Sequence, residues 1–457
     1  MSRKSGYSTD LNTKFYLLIY MIRSELNLSR VMEDKGDYGV GPYYIEGVNG
    51  KFKFSIDTLS THLLFLGSTG TGKTNAIFQF VHLIKKNIMT KEDVMIVFDT
   101  KGDYLSEFYD PTKDIIIDNT PIAKPQNPRT SDPKYAIWNL FLDIMADGEE
   151  EIEANANEVA RTLYDEDIKK SRDPFFPRAA ADITRATITA LLRDAMKSHS
   201  KISNKDLVSI FKYGTISDLY ALLKSYPDLK GVTQYIELYN SPQTQGVMST
   251  ILNVMNDIFI GNFSKEGDFS IRNFIRKKEG RTLFIEYDLR WGRILTPIYR
   301  VMLDMAIKES LGRQQESEGN VYFIIDEFAL LPNLYHIDDG INFGRSQGAK
   351  FIIGTQNVNQ ILESYGQGRG ISILSNFGTL ISFRLNDEVS KNLVLGRYGK
   401  YVRNLQIPSA VPNEPTLHQI YEANYIESSD LSLLPTGTAI ICPSGITPRK
   451  FQFRPYH

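Results

Sequence analysis

Eight consecutive residues have the types and the spacing of a phosphate-binding loop. Three glycines let successive backbone N–H groups converge on one anion, and the following helix adds its partial positive charge. Lys73 is expected to reach the β- and γ-phosphates, and Thr74 to offer a hydroxyl to Mg²⁺. The segment predicts a binding site for ATP and Mg²⁺, formed by Gly67, Ser68, Thr69, Gly70, Thr71, Gly72, Lys73 and Thr74.

A second motif places two carboxylates directly after the apolar segment 321–325. An aspartate at a strand end can hold the water shell of Mg²⁺, and a glutamate beside it can polarise the attacking water. We interpret Asp326 as the metal-binding residue and Glu327 as the water-activating residue of a hydrolase. A charged strand cap without catalytic function is the alternative.

Two further polar segments follow apolar runs. Gln356 comes after the segment 350–354, and its amide could bond the γ-phosphate or the attacking water. Asp99 and Lys101 follow the segment 94–98. Because parallel strands align their carboxyl ends around one ligand, we expect these side chains near the phosphate-binding loop. Gln356 could also be an ordinary loop amide.

The elements that must position these residues alternate between strand and helix. Short apolar runs indicate strands at 62–66, 94–98, 282–286, 321–325, 350–354, 379–383 and 438–441. Between about 133 and 273 helical patterns dominate, notably at 152–164, 179–197 and 247–258. This predicts an α/β fold, with a P-loop core built on a mainly parallel sheet and an inserted all-α domain. The expected division is an N-terminal arm at 1–54, a discontinuous P-loop domain at 55–130 and 275–457, and the all-α insertion at 131–274.

Composition limits the class of protein. The chain has 457 residues, 42% of them hydrophobic, and one cysteine, Cys442, which excludes an internal disulfide and favours the reducing cytoplasm. The apolar run 15–22 is far shorter than the roughly 20 residues of a membrane span, so no direct span is expected. The net charge of −2 argues against a protein that coats DNA, but a narrow channel needs only a few basic residues from each subunit.

The combined motifs resemble the conjugative coupling proteins of type IV secretion, the TraD/TraG-like family within the HerA/FtsK group of hexameric DNA-pumping ATPases. The resemblance covers about 55–445 and rests on four segments: Asp99-x-Lys101-Gly102-Asp103, Asp326-Glu327-Phe328-Ala329-x-Leu331-Pro332, Gln356 followed by Tyr365-Gly366, and Trp138-Asn139-Leu140 with Asp173-Pro174-Phe175-Phe176. It implies a RecA-like core and a homohexamer that acts on DNA. Membrane-anchored members carry transmembrane helices, so we expect either a soluble variant or a membrane-anchored or relaxase-like partner.

The catalytic set proposed from the sequence is Lys73, Glu327, Gln356 and Arg345. Phosphoryl transfer requires a further cation at the γ-phosphate, and ring ATPases usually receive it from a neighbouring subunit. Arg345 occupies a position similar to the trans-acting arginine of coupling proteins, whereas Arg384 and Arg369 are weaker candidates. A solvated arginine at a helix end is the alternative.

Some residues are assigned no catalytic role. The basic residues of 269–293 could face a pore or form a solvated surface, and they comprise Arg272, Arg276, Lys277, Lys278, Arg281, Arg290 and Arg293. His62 begins the strand before the phosphate-binding loop and is interpreted as structural.

Two functions remain open at this point. The first is an ATP-hydrolysing hexameric motor that translocates DNA, single- or double-stranded, through a central channel. The alternative is a nucleotide-gated ring scaffold that recruits an effector, for instance in a defence complex, without processive DNA movement. The Asp326-Glu327 pair favours turnover, and stimulation of ATPase activity by DNA would separate the two.

Overall fold

The computed structural model describes residues 36–119, 134–313, 319–407 and 417–456. Its strands form a three-stranded sheet, a nine-stranded sheet and a two-stranded ribbon. The strands are β1 (Tyr38–Gly39), β2 (Tyr43–Glu46), β3 (Lys51–Phe54), β4 (Leu63–Leu66), β5 (Val94–Asp99), β6 (Ile115–Ile117), β7 (Arg281–Glu286), β8 (Val321–Ile325), β9 (Ala349–Thr355), β10 (Thr379–Ser382), β11 (Lys400–Ile407), β12 (Leu417–Asn424), β13 (Thr438–Pro443) and β14 (Arg449–Gln452).

The nine-stranded sheet positions the sequence motifs. Its order is β14-β13-β10-β4-β9-β8-β5-β7-β6, and the seven strands from β10 to β6 are parallel. The strands β4, β9, β8 and β5 are adjacent, so their carboxyl ends share one edge of the sheet. The motif residues that follow these strands are thereby brought to the same edge.

The α-helices cover the sheet and fill the chain between β6 and β7. They are α1 (Ile56–Ser60), α2 (Lys73–Leu83), α3 (Asp103–Phe108), α4 (Leu140–Ile144), α5 (Ile152–Lys170), α6 (Phe175–Ser198), α7 (Asn204–Lys212), α8 (Ile216–Lys224), α9 (Pro242–Asp257), α10 (Ile271–Lys277), α11 (Gly292–Leu311), α12 (Ile337–Phe343), α13 (Val358–Tyr365), α14 (Gln367–Ser375), α15 (Glu388–Tyr398) and α16 (Ser428–Ser432).

Local sequence explains where several of these helices begin. Ser203 and Asp206 form a capping box before α7, and Thr215 and Asp218 form one before α8. In each pair the side chains satisfy backbone N–H groups of the first turn, which have no partner inside the helix. Asn139 caps α4, and its side-chain amide also donates to the carbonyls of Ile202 and Gly267, at 2.8 and 2.9 Å. It therefore ties the start of the helical region to two later segments.

The two faces of the sheet belong to two hydrophobic clusters. Successive residues of β4 alternate between them, because side chains along a strand point to opposite faces. Leu64 and Leu66 belong to the cluster that continues into the helices between β6 and β7. Leu63 and Phe65 belong to the second cluster, which includes residues of α2 and β3. The apolar runs of the central strands therefore reflect burial on both faces.

The predicted α/β fold with a mainly parallel sheet is confirmed, with one error in strand direction. The segment 438–441 was expected to continue the parallel sheet, but β13 pairs antiparallel with β10, and β14 pairs antiparallel with β13. The strands β6, β11, β12 and β14 were not expected. The predicted helices at 152–164, 179–197 and 247–258 extend over 152–170, 175–198 and 242–257.

The N-terminal arm at 1–54 is described from residue 36 onward, so its first 35 residues lie outside the described part. The remainder forms the three-stranded sheet, in the order β1-β3-β2. The division of the chain into domains stays a prediction.

The contacts of His62 agree with its interpretation as a structural residue. It is buried and lies in the left-handed region, with φ of 64°. Its Nδ1 accepts a hydrogen bond from the backbone N–H of Phe351 at 3.1 Å, so Nε2 carries the proton and donates to the carbonyl of Ile341 at 3.1 Å. The imidazole joins the start of β4 to β9 and α12.

Candidate nucleotide-hydrolysis site

The loop between β4 and α2 has the backbone geometry that phosphate binding requires. Gly72 is the residue before α2 and lies in the left-handed region, with φ of 107°. A Cβ atom there would stand 3.0 Å from the Cα of Gly437, so a larger residue would be strained and crowded. Thr71 braces the loop, since its hydroxyl donates to the carbonyl of Ser68 and its carbonyl accepts from the N–H of Gly437.

Lys73 lies inside the loop that it is expected to serve. Its residue is only 8% exposed, and its Nζ donates to the carbonyl of Gly67 at 3.0 Å. Burial lowers the pKa of Lys73, while the nearby Glu327 and Asp326 carboxylates oppose that change. A lysine that bonds a loop carbonyl and lies near two carboxylates is positioned to bind a phosphate oxygen.

Thr74 and Asp326 meet across the site. The Thr74 hydroxyl donates to Oδ2 of Asp326 at 2.8 Å, although the two residues are far apart in the sequence. Oδ1 of Asp326 is buried and has no hydrogen-bond partner among the described residues. Burial raises the pKa of Asp326, while the Thr74 hydrogen bond and Lys73 lower it. Hydroxyl and carboxylate oxygens are hard ligands of the kind that Mg²⁺ prefers, so this pair fits the ion.

Glu327, Gln356 and Thr69 form a chain of hydrogen bonds across the site. The amide Nε2 of Gln356 donates to Oε2 of Glu327 at 2.6 Å, and the Thr69 hydroxyl donates to Oε1 of Gln356 at 2.6 Å. Oε1 of Glu327 is buried without a partner in the described part of the chain. Burial raises the pKa of Glu327, while Lys73 and the Gln356 hydrogen bond lower it. Glu327 thus has one oxygen fixed by Gln356 and one oxygen left to accept a proton.

The Asp99 motif lies at the same edge of the sheet, but the carboxylate of Asp99 itself accepts hydrogen bonds from the backbone. Its Oδ1 accepts from the N–H groups of Lys101 and Gly102, at 3.1 and 3.0 Å, and its Oδ2 accepts from Leu105 at 2.9 Å. These bonds fix the turn into α3. Lys101 is exposed, and its charge reaches both Lys73 and Asp326. Asp99 is therefore a positioning residue, whereas Lys101 carries a charge close enough to act on Lys73 and Asp326.

Two residues of the site were not identified from the sequence. Gly354 of β9 lies against Asp326, and a Cβ there would stand 2.3 Å from the Asp326 carbonyl oxygen and 3.1 Å from Oδ1. Tyr104 of α3 is buried, and its pKa is raised by burial and then by the charges of Asp326 and Asp99. A strand glycine can signal close backbone approach, but the sequence alone does not say to which partner.

The three candidate arginines lie in different places. Arg345 precedes β9, and its carbonyl accepts from the N–H of Gly348 at the amino edge of the sheet. Because β9 has seven residues, about 20 Å separates this edge from Gln356. Arg345 is exposed, and no ion pair to it is formed by any described residue. It cannot reach the phosphate-binding loop of its own chain.

Arg369 and Arg384 differ from Arg345 in their surroundings. Arg369 is paired with Asp338 at 2.5 Å and donates to the carbonyls of Leu334 and Tyr335. The carbonyl of Arg384 accepts from the N–H of Ser68 at 3.0 Å, so this residue lies beside the loop of its own chain.

The basic run at 269–293 is not one surface. Arg272 is buried and forms ion pairs with Glu309 at 2.8 Å and Asp147 at 2.6 Å, and Arg276 binds the same two carboxylates. Arg272 therefore does not belong to an exposed basic surface, and Arg276 is engaged by the same two carboxylates.

Comparison with known proteins identifies the family. A family model described as the type IV secretion-system coupling protein DNA-binding domain matches residues 48–401. The chain belongs to this family. The coupling protein TraD of Escherichia coli K12 is 24% identical over 344 residues, which are 73% of this chain and 43% of TraD. The chain thus spans less than half the length of this relative.

Solved coupling-protein structures share the fold. An unbound bacterial conjugative coupling protein, TrwBdeltaN70, superposes with a TM-score of 0.70 at 19% identity, covering 90% of this chain and 88% of that one. The plasmid coupling protein TrwB in complex with ADP and Mg²⁺ superposes with a TM-score of 0.64 at 20% identity, covering 89% and 87%. The resemblance drawn from the motifs and the expected RecA-like P-loop fold with a helical region are confirmed. Across the part of this chain that the structure describes, every helix is too short or too polar to traverse a bilayer.

Proposed function

We propose that the chain hydrolyses ATP as a DNA-translocating motor, in the manner of a conjugative coupling protein. The observation that carries the proposal is the hydrogen-bonded chain from Thr69 through Gln356 to Glu327, which joins the phosphate-binding loop to a buried carboxylate. A site that only holds a nucleotide does not require that carboxylate. Membership of the coupling-protein family supports DNA as the partner, and TrwB in complex with an ATP analogue and with ADP and Mg²⁺ supports ATP and Mg²⁺ as the ligands.

Each side chain has a distinct role in the proposed reaction. The backbone N–H groups of 67–74 and Nζ of Lys73 bind the phosphates. Oε1 of Glu327 accepts a proton from the attacking water, while Gln356 holds the other carboxylate oxygen and senses the γ-phosphate. Thr74 and Asp326 would hold Mg²⁺, which when bound neutralises charge that develops on the phosphate oxygens.

The arginine at the γ-phosphate comes from a neighbouring subunit in this proposal. Arg345 lies at the opposite edge of the sheet from its own loop, so it can act only across an interface between copies. A ring provides one such interface for every site, and we propose a homohexamer with DNA in its channel. The P-loop domain at 55–130 and 275–457 would form the ring, with the all-α domain at 131–274 packed on it.

The cellular setting is also a proposal. A motor of this kind acts in the cytoplasm, and a membrane-anchored or relaxase-like protein would deliver the DNA or hold the ring at the membrane.

The proposal is tested by measuring ATP hydrolysis of the purified protein with and without single- and double-stranded DNA. We expect DNA to raise the turnover rate, and an ATP-dependent displacement assay on long DNA to detect movement. Hydrolysis that neither form of DNA stimulates, together with ATP-dependent assembly, would instead favour the ring scaffold.

A further inference from the structure

A cleft of about 880 Å³ lies between α5, α6, α11 and the segment that follows Glu327. Six basic and three acidic side chains line it. The basic residues are Arg161, Lys169, Arg178, Arg300, Lys308 and Arg369. Since Arg369 is also paired with Asp338, two positive charges remain in excess. This excess makes the cleft attractive to an anion, and the cleft is separate from the nucleotide site.

Two arginines at the rim of the cleft form no ion pair with any described residue. Lys169 and Arg300 bind Asp165, and Lys308 binds Glu158, so the acidic residues of α5 are already engaged. Arg161 and Arg178 are exposed, and no ion pair joins either of them to a residue that the structure describes. Arg161 lies one helical turn from Asp165, on the face of α5 that lines the cleft.

Arg300 provides a charge at the base of the cleft. Its side chain is only 3% exposed, and its Nη2 donates to Asp165 and to the carbonyl of Asn333, at 3.0 and 2.8 Å. Nε and Nη1 are buried and have no hydrogen-bond partner within the described ranges. A buried cation with unsatisfied donors is costly unless an acceptor approaches it.

The fourth wall of the cleft is connected to the hydrolysis site. Asn333 and Tyr335 line the cleft and lie six and eight residues after Glu327. Their segment is bonded to α5, because Nε2 of His336 contacts Glu158 at 2.7 Å. The residue Tyr335 is 67% exposed, so its aromatic ring is available to a partner. A molecule in the cleft would therefore contact the loop that leaves the catalytic glutamate.

We propose that this cleft binds the phosphodiester backbone of DNA, with Arg161 and Arg178 contacting phosphates and Tyr335 stacking on an unpaired base. The inference rests on the proposed function, since it names the DNA contact of that motor. Arginines that contact phosphates together with an exposed aromatic ring are the combination that binds single-stranded DNA without sequence preference. The position of the cleft supplies a route by which bound DNA alters the loop beside Glu327.

The test uses the double variant Arg161→Gln/Arg178→Gln in the full chain, with a fluorescent oligonucleotide as the probe. We expect DNA affinity to fall about tenfold near 0.1 M salt, and the slope of log affinity against log salt to weaken by about 1.5, because two phosphate contacts are lost. ATP hydrolysis without DNA should stay at the wild-type rate, and its stimulation should require more DNA. Tyr335→Ala should weaken binding of single-stranded DNA more than that of duplex.

Two further double variants make the result decisive. Arg185→Gln/Arg193→Gln removes two positive charges from α6, as many as the cleft variant removes in total. These two arginines pair with Glu153 and Asp228 outside the cleft, so DNA affinity should be retained. Arg290→Gln/Arg293→Gln alters the exposed surface around Trp291, and a larger loss there than in the cleft variant would overturn the inference.

The outcomes also separate this inference from the proposed function. If the cleft variant binds DNA with the same affinity and salt dependence as the wild type, the inference about the cleft is wrong and the proposed function is unaffected. Wild-type protein that neither binds DNA nor responds to it would overturn the proposed function. If inorganic phosphate binds in a manner that requires Arg161 and Arg178 while DNA does not, the cleft is a site for a small anion and the inference is wrong.

Discussion

Gln356 bonds both to Glu327 and to the loop between β4 and α2. Its Nε2 donates to Oε2 of Glu327 at 2.6 Å, and its Oε1 accepts from the Thr69 hydroxyl at 2.6 Å. A movement of the loop would therefore be transmitted to the carboxylate through one side chain. The same amide favours the charged form of Glu327, because it donates to the carboxylate.

Replacing Gln356 should move the pH dependence of hydrolysis. Burial raises the pKa of Glu327 and the Gln356 hydrogen bond lowers it, so Gln356→Ala should raise that pKa further. A general base works only when deprotonated, so turnover falls as the pH drops through this pKa. The acidic limb of the kcat profile should therefore shift to higher pH. Gln360→Ala, an exposed amide of α13, should leave the profile in place, and an unchanged profile in Gln356→Ala would count against the bond.

Removing the carboxylate should separate binding from hydrolysis. Glu327→Gln should bind ATP as the wild type does, since the phosphate-binding loop and Asp326 are intact. Turnover should fall at least about a hundredfold, the contribution typical of a general base. Stopped-flow binding and steady-state phosphate release measure the two effects. The exposed Glu363→Gln of α13 is the matched control, and near-normal turnover in Glu327→Gln would place the base elsewhere.

The Thr74 hydroxyl should matter for the metal more than for the nucleotide. Thr74→Val keeps the shape of the side chain but removes the donor to Asp326 and the oxygen offered to Mg²⁺. We expect hydrolysis to require a higher Mg²⁺ concentration, whereas affinity for ATP without Mg²⁺ should change little. Thr74→Ser, which keeps the hydroxyl, should behave as the wild type. Equal Mg²⁺ dependence in the valine and serine variants would contradict a metal-binding role.

The parts of the site that the sequence predicted are those that contiguous sequence motifs determine. Glycine loops and strand-end carboxylates are contiguous motifs, and parallel strands bring their ends together by geometry alone. Asp326, Glu327 and Gln356 were therefore placed at one edge without knowledge of any contact. Apolar strands do not encode direction, which is why β13 was expected to be parallel.

Contacts between distant segments were not predictable. The basic run that includes Arg272 is locally indistinguishable from an exposed surface, because its partners Asp147 and Glu309 lie far away in the chain. The bond from Thr69 to Gln356 likewise depends on how β4 and β9 pair. Such pairing is a property of the folded sheet, and no pattern within either segment indicates it.

His62 should make stability depend on pH. Burial lowers the pKa of His62 from 6.5 to about 4. As the pH falls from about 6.5 to 4, the unfolded chain binds a proton that the folded chain does not, so the free energy of unfolding decreases. The loss should be on the order of 3 kcal/mol at pH 4.

The comparison variant is His62→Asn, since asparagine tolerates a positive φ and does not titrate in this range. Urea unfolding of both proteins at several pH values measures the difference in slope. All other titrating groups are shared, so parallel curves would show that His62 is not the source.

The position of Arg345 predicts that hydrolysis needs two copies of the chain. Arg345→Ala should bind ATP almost normally, because 67–74 and Asp326 are intact, yet hydrolyse it poorly. Lys73→Ala should lose ATP binding or turnover but keep a functional arginine. Each variant is then inactive for a different reason.

Mixing the two inactive variants provides the test. Some interfaces will pair the intact loop of an Arg345→Ala subunit with the intact arginine of a Lys73→Ala subunit, so part of the activity should return. The gain should be partial, since other interfaces stay broken and a coordinated ring can stall on them. Arg384, which lies beside the loop of its own chain, provides the contrast. If it supplied the charge instead, Arg384→Ala mixed with Lys73→Ala would regain nothing, because neither subunit would contain a complete site. Wild-type turnover in Arg345→Ala alone would exclude Arg345 as the trans-acting arginine, and so would subunits that exchange at every ratio without any return of activity.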